Sequence, residues 1–400
     1  MSPSTAPALL ESDPIALPAR HRFTIDGGEA LEAQLQSVCD RILHGVQGLI
    51  PASTLEAIVL GGGYGRGEGG VLRLSDGEYP YNDLDLYVFL RGNRRWNERR
   101  YHQPLEMFGE IVGSLIGVEI EFKILAVGDL VTGPVSMFSY DLVARQRWLW
   151  GDEGLRERWE CHRDGAAVPT VEATRLLMNR CTGLLLARER LDRPRFTPAD
   201  ADFVRRNIAK AELGLGDAIL AAHGLYHWSC LVRHRRLAQL AGVERSPWMT
   251  ELGALHARGV AFKLHPQRSA ESAEALRAAW TAVTAAALPV WLHLEGRRLG
   301  TPFVSARAYA ESAVNKCPCT SRMRNFLINL RQLGLRPLRQ GRPGEHPRQR
   351  IVQAMALLLW EPAALTSVPL LRRLQDDLGT SRTDFPGLLA AYRAQWSRVS

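Results

Sequence analysis

Apolar residues at three- and four-residue spacing, Leu31, Leu35, Val38, Ile42, Val46 and Ile50, predict an amphipathic helix that starts near Gly28 and stops at Pro51. A short apolar run, Ile58-Val59-Leu60, then meets the glycine turn Gly61-Gly62-Gly63-Tyr64-Gly65-Arg66-Gly67. A second run returns at Asn82-Asp83-Leu84-Asp85-Leu86-Tyr87-Val88-Phe89-Leu90, so the stretch reads strand, turn, strand. After a charged loop over residues 91–100, a helix over residues 104–116 leads into a third strand at 117–125. In that strand Val118, Ile120, Phe122 and Ile124 share one face and Glu119, Glu121 and Lys123 the other. A further segment opens at Ser139-Tyr140-Asp141 and ends at Gly151-Asp152, and residues 153–169 are polar enough to read as a boundary.

Beyond the boundary the pattern is helical. Thr170 caps a helix through Leu191, and Thr197-Pro198-Ala199-Asp200 combines a cap, a proline at the first helical position and an acid in the first turn. That second helix ends at Gly224 and carries Lys210. Residues 322–331 form a basic amphipathic helix and residues 351–360 a very apolar one. The uncharged run at 278–294, interrupted by Pro289, reads as a buried helix rather than a membrane span. The fold class is therefore α/β (α+β): a small sheet domain followed by a mostly α-helical C-terminal region. The expected divisions are a loose segment 1–22, a sheet domain 23–152, a helical domain 165–300 and a basic helical region 301–400.

Composition changes this picture only in detail. Hydrophobic residues at 46% and charged ones at 23% suit an ordinary globular protein. The six cysteines are scattered, and reduced thiols in a cytoplasm are the expectation, with no membrane partner. Cys317-Pro318-Cys319 lacks the second pair a zinc site needs, and His223 and His227 are separated by the helix-breaking Gly224. The net charge of +8 is concentrated in residues 301–360, where ten basic residues face two acidic ones. Such a patch attracts polyanions, nucleic acid among them.

The chemistry is concentrated on the second strand. Asp83 and Asp85 lie one pleat apart on the same face, where two carboxylates repel each other unless a cation sits between them. Mg²⁺ suits that arrangement, since it takes a few carboxylates and the oxygens of a triphosphate. Glycines before the strand let backbone N–H groups approach phosphate closely.

Gly62-Gly63, then Arg66-Gly67-Glu68, then Asp83-Leu84-Asp85 resembles the signature of the DNA polymerase β-like nucleotidyltransferase superfamily, over residues 55–130. The resemblance implies a small mixed-sheet nucleotidyltransferase domain with a third carboxylate on a later strand. Glu119 and Glu121 both qualify, and Glu121 is favoured. It implies Asp83, Asp85 and Glu121 as catalytic and metal-binding residues for Mg²⁺ or Mn²⁺. It also implies Gly62, Gly63 and Arg66 as nucleotide-binding, with Lys210 a candidate for the phosphates from the helical region. The implied co-substrate is a nucleoside triphosphate, ATP being the expected one. Gly63 stands where many members have a serine, and the connection from Glu68 to Tyr81 is longer than usual.

Three functions follow from that resemblance. The first is transfer of a nucleoside monophosphate to a hydroxyl of a small molecule or protein. The second is terminal transfer to RNA or DNA through the basic segment 301–360. The third is a non-catalytic nucleotide-binding or regulatory protein.

Overall fold

The computed structural model describes residues 21–318, 320–335 and 342–398. The expected loose segment thus lies outside the described residues up to Arg20, as does Cys319 of the Cys-Pro-Cys pair. Two compact units divide the chain: residues 1–172 with 220–268, and residues 173–219 with 269–400. The segment 165–300 contributes to both.

In the first unit, helix α1 (Glu29–Leu49) leads to strand β1 (Leu55–Leu60), and the glycine turn closes as a five-residue helix, α2 (Gly62–Arg66). Strands β2 (Val71–Leu74) and β3 (Gly77–Pro80) make a separate hairpin. Strand β4 (Leu84–Leu90), helix α3 (Arg94–Ile116) and strand β5 (Ile120–Leu125) form a β-α-β crossover, the connection that parallel neighbours require. Helices α4 (Val127–Thr132) and α5 (Met137–Ala144) precede strand β6 (Arg147–Gly151). The main sheet has the order β5-β4-β1-β6, with β4 and β5 parallel and the other pairs antiparallel, so it is mixed.

Period-two patterning decides the faces. Ile58, Leu60, Leu86, Val88, Ile120 and Phe122 pack with Leu31, Leu35 and Ile42 of α1 and Leu105 and Val112 of α3. Each such buried side chain stabilises the fold by roughly 1.5–3 kcal/mol. On the opposite face Val59, Tyr87, Phe89 and Leu125 pack with Leu130, Leu142 and Trp159. Toward the start of β4 that second face changes from apolar to acidic, through Asp85 to Asp83.

Two segments differ from the sequence reading. Helix α3 begins ten residues early, inside the charged loop, because the Asn93 side chain accepts from the N–H groups of Arg95 and Trp96 and caps it there. Pro104, where the expected helix began, lies in the helix interior. Residues 153–169 are not an open linker. They form 3₁₀ turns that bury Trp159 against Phe89, with ring centroids 5.1 Å apart, and seat His162 on the Leu130 carbonyl.

Among the described residues the remaining helices are α6 (Thr170–Leu191), α7 (Pro198–Ala222), α8 (Cys230–Ala241), α9 (Met249–Leu264), α10 (Ala273–Leu299), α11 (Ala306–Glu311), α12 (Arg322–Leu333), α13 (Pro347–Trp360), α14 (Val368–Leu378) and α15 (Phe385–Trp396). Of these, α8 and α9 belong to the first unit. In the second unit α10 is, among the described residues, long and apolar enough by composition to cross a membrane. It instead buries Val283, Val290, Trp291 and Leu294 among its neighbours, with Glu295 accepting from Thr174, Arg298 and Tyr309. The chain is thus α+β, a small mixed sheet in the N-terminal part followed by a helical C-terminal region.

Candidate metal centre

Register brings the acids together. Asp85 on β4 is the direct partner of Glu121 on the parallel neighbour β5, so both carboxylates leave the sheet side by side. Asp83 precedes β4 by one residue and completes the group: one oxygen from each of Asp83, Asp85 and Glu121 lies within 4.8 Å of the others. Glu121, the acid the sequence favours, is in the cluster, and Glu119 is outside it. Three converging carboxylates are a hard-oxygen donor set of the kind that suits Mg²⁺ or Mn²⁺. The acids fit a divalent ion.

Lys123 shares their face two residues beyond Glu121. Its Nζ lies 3.3 Å from Asp85 Oδ1 and 3.2 Å from Glu121 Oε2, and 5.7 Å from the centre of the Tyr87 ring. Burial pushes the Asp85 carboxyl up, and the nearby Asp83 and Glu121 add to that, while Lys123 opposes it; the net direction is upward. For Lys123 burial alone would favour the neutral amine, but the two carboxylates outweigh it and its pKa rises. The lysine is a built-in counter-charge.

The glycine turn touches this group at one point. The Gly61 N–H donates to the Asp85 carbonyl at 2.9 Å, and Gly62 takes φ +59°. A Cβ at Gly62 would fall 2.3 Å from Asp85 Oδ2, so only glycine allows the backbone to pass so close to the carboxylate. Gly62→Ala is expected to destabilise the first unit by about 1–3 kcal/mol and to displace the Asp85 side chain. Thermal unfolding together with Mn²⁺ titration would check both effects.

The other expected residues have different surroundings. Arg66 is largely but not fully buried and pairs with Asp141 of α5, Nη1 to Oδ2 3.2 Å; burial alone would lower its pKa, but Asp141 leads the groups that raise it. The Gly63 carbonyl accepts from the Glu68 N–H at 2.9 Å. Lys210 is exposed on α7, which belongs to the second unit, whereas the acids belong to the first. Four of the five arginines of residues 91–100 are engaged locally, Arg91 with Glu56, Arg94 with Glu98, Arg99 over Trp96 and Arg100 over Tyr101.

Sequence reasoning missed what anchors the turn. Glu68 is buried and accepts from the Ser229 hydroxyl at 2.6 Å and from the Cys230 N–H at 3.1 Å, and pairs with Lys263 at 3.2 Å. Tyr64, in the middle of the glycines, is wholly buried; its hydroxyl donates to the Gly70 carbonyl and accepts from the Tyr81 N–H. The one available signal was Lys263 as one of only four lysines among 50 basic residues. Compared with known proteins, the chain matches no family model, no curated protein and no solved structure.

Proposed function

We propose that the first unit is a metal-dependent nucleotidyltransferase that moves a nucleoside monophosphate from a nucleoside triphosphate, ATP being the expected donor, to a hydroxyl of a small molecule or protein in the cytoplasm. The observation that carries the reading is the convergence of Asp83, Asp85 and Glu121 beside the Gly62 turn. In the transfer, an acceptor oxygen forms a bond to the α-phosphorus, the bond to the bridging oxygen breaks, pyrophosphate leaves and the acceptor proton goes to solvent. Bound divalent metal would supply charge neutralisation at the phosphates and a more acidic acceptor hydroxyl. Asp83, Asp85 and Glu121 would hold it. Gly62 and Gly63 would let backbone N–H groups meet the outer phosphates, and the rigid sheet fixes the carboxylates so that little reorganisation accompanies reaction.

The acceptor reading favours small molecules or proteins over nucleic acid. Within segment 301–360 much of the basic charge is consumed inside the second unit: Lys316 and Arg350 are buried, and Arg342 pairs with Asp377 and Glu345. Arg322, Arg324 and Arg331 of α12 stay exposed.

Lys123 favours a second reading, a non-catalytic protein in which the ammonium neutralises the acids in place of a metal. Calorimetric titration with Mn²⁺ separates the two. On the transferase reading wild type binds Mn²⁺, and Lys123→Met binds it about tenfold more tightly once one positive charge is gone. Binding by Lys123→Met alone would support the non-catalytic reading. Incubation with each α-labelled nucleoside triphosphate, Mg²⁺ and a cell lysate tests the chemistry. Label entering a small-molecule or protein fraction supports transfer, and no labelled fraction from wild type rejects it.

A further inference from the structure

The first unit contains a cavity of about 560 Å³ whose lining includes none of the three acids. It is bounded by α5, the 3₁₀ turns after β6 and the segment that opens α8, and its size is ordinary for a small-molecule pocket. Four arginines line it, Arg145, Arg156, Arg163 and Arg236, against a single acid, Asp164. Asp164 is already used, its Oδ1 accepting from the Ala166 N–H at 2.8 Å.

The arginines are held in different ways. Arg156 pairs with Glu153, and Arg163 with Glu160, both of which are largely exposed, so these pairs contribute little. Arg145 lies over the Trp228 ring at 5.0 Å. Arg236 is half-buried and donates only to the carbonyls of Leu225 and Tyr226, with no carboxylate partner among the described residues. Burial pushes its pKa down, so the fold carries a desolvated cation there without a counter-charge. His227, another lining residue, accepts from the Ser229 N–H through Nδ1, which leaves its Nε2–H as a donor. Burial, then Arg236 and Arg233, push its pKa down to about 4, so it is neutral at physiological pH. The wall thus offers guanidinium forks and an imidazole N–H, almost all donors. Forked donors match the oxygens of phosphate two at a time, which a compact ammonium does not.

We infer that this cavity is a second ligand site, which binds a small molecule bearing a phosphate or pyrophosphate group without a metal ion. The inference does not depend on the nucleotidyltransferase reading, because binding here is metal-free while binding at the acids is not.

Calorimetry on the full chain in the presence of EDTA tests it, with pyrophosphate as the probe and succinate as the carboxylate control. Wild type is expected to bind pyrophosphate at or below millimolar concentration, more tightly than succinate, and more weakly as salt rises. Arg236→Gln should lower the affinity at least about tenfold. Since Arg236 also supports two loop carbonyls, the exposed Arg163→Gln serves as a second variant that leaves the fold intact, and it too should weaken binding severalfold. Asp85→Asn should leave the affinity unchanged. Absence of pyrophosphate binding by wild type, preference for succinate, or unchanged affinity in a folded Arg236→Gln and in Arg163→Gln would overturn the inference.

Discussion

Asp85→Asn is expected to reduce the proposed nucleotidyl transfer at least about a thousandfold, the order of loss seen when one preorganised electrostatic group is removed from a reacting centre. The same substitution should leave the melting of the first unit within about 1 kcal/mol of wild type. The second half follows from the charges. Asp85 is half-buried, faces Asp83 and Glu121, and has its pKa raised by burial first and by those acids next. An acid whose folded pKa is raised destabilises the fold above its unfolded pKa, so the neutral amide relieves that penalty while giving up the pairing with Lys123. The two effects are opposite in sign, with burial and the neighbouring acids outweighing Lys123. Activity and stability therefore separate, which a purely structural carboxylate would not allow. Labelled transfer and a thermal melt on the same preparation provide the measurement, and a large fall in melting temperature with transfer intact would reject the assignment of Asp85.

The division between what was legible in the sequence and what was not is physical. Helix α1 and the two faces of β5 were readable because their signal is periodic and local: Leu31 to Val46 repeat on a helical face, and Ile120, Phe122 and Ile124 alternate with Glu121 and Lys123. Glu121 was favoured from the sequence, but its pairing opposite Asp85 was not readable, since that depends on the register of β5 against β4, and one strand carries no record of its partner. The early part of α3 was hidden by Pro104, a residue that usually marks a helix start or break. Trp159 was hidden in a polar stretch with few apolar neighbours in sequence. The anchor at Glu68 was least visible of all, because Ser229 and Lys263 lie 161 and 195 positions away.

That anchor gives the largest expected effect on stability. Glu68→Ala should destabilise the first unit by about 3–5 kcal/mol, because it strands the Lys263 ammonium, the Ser229 hydroxyl and the Cys230 N–H without their shared acceptor. A loss of that size is a large fraction of the 5–15 kcal/mol typical of a domain. Glu68→Gln keeps the oxygen that serves the Ser229 hydroxyl but loses the charge and the acceptor shared by the Cys230 N–H and Lys263, so it should cost less than the alanine, about 1–3 kcal/mol. Acid gives an independent reading of the same pair. Burial alone would raise the Glu68 pKa, but Lys263, the Ser229 hydroxyl, Arg233 and the Cys230 N–H outweigh it and hold it at about 2, against an ordinary 4.5. A carboxyl depressed in this way contributes its stability fully above pH 4.5 and loses it as pH falls toward 2. The difference corresponds to about 3 kcal/mol. Urea unfolding of wild type and Glu68→Gln at neutral pH and at successive steps below pH 4.5 should show the two curves converging as acid protonates Glu68. If the gap between them stays constant across that range, the ion pair with Lys263 is not what holds the glycine turn against α8 and α9.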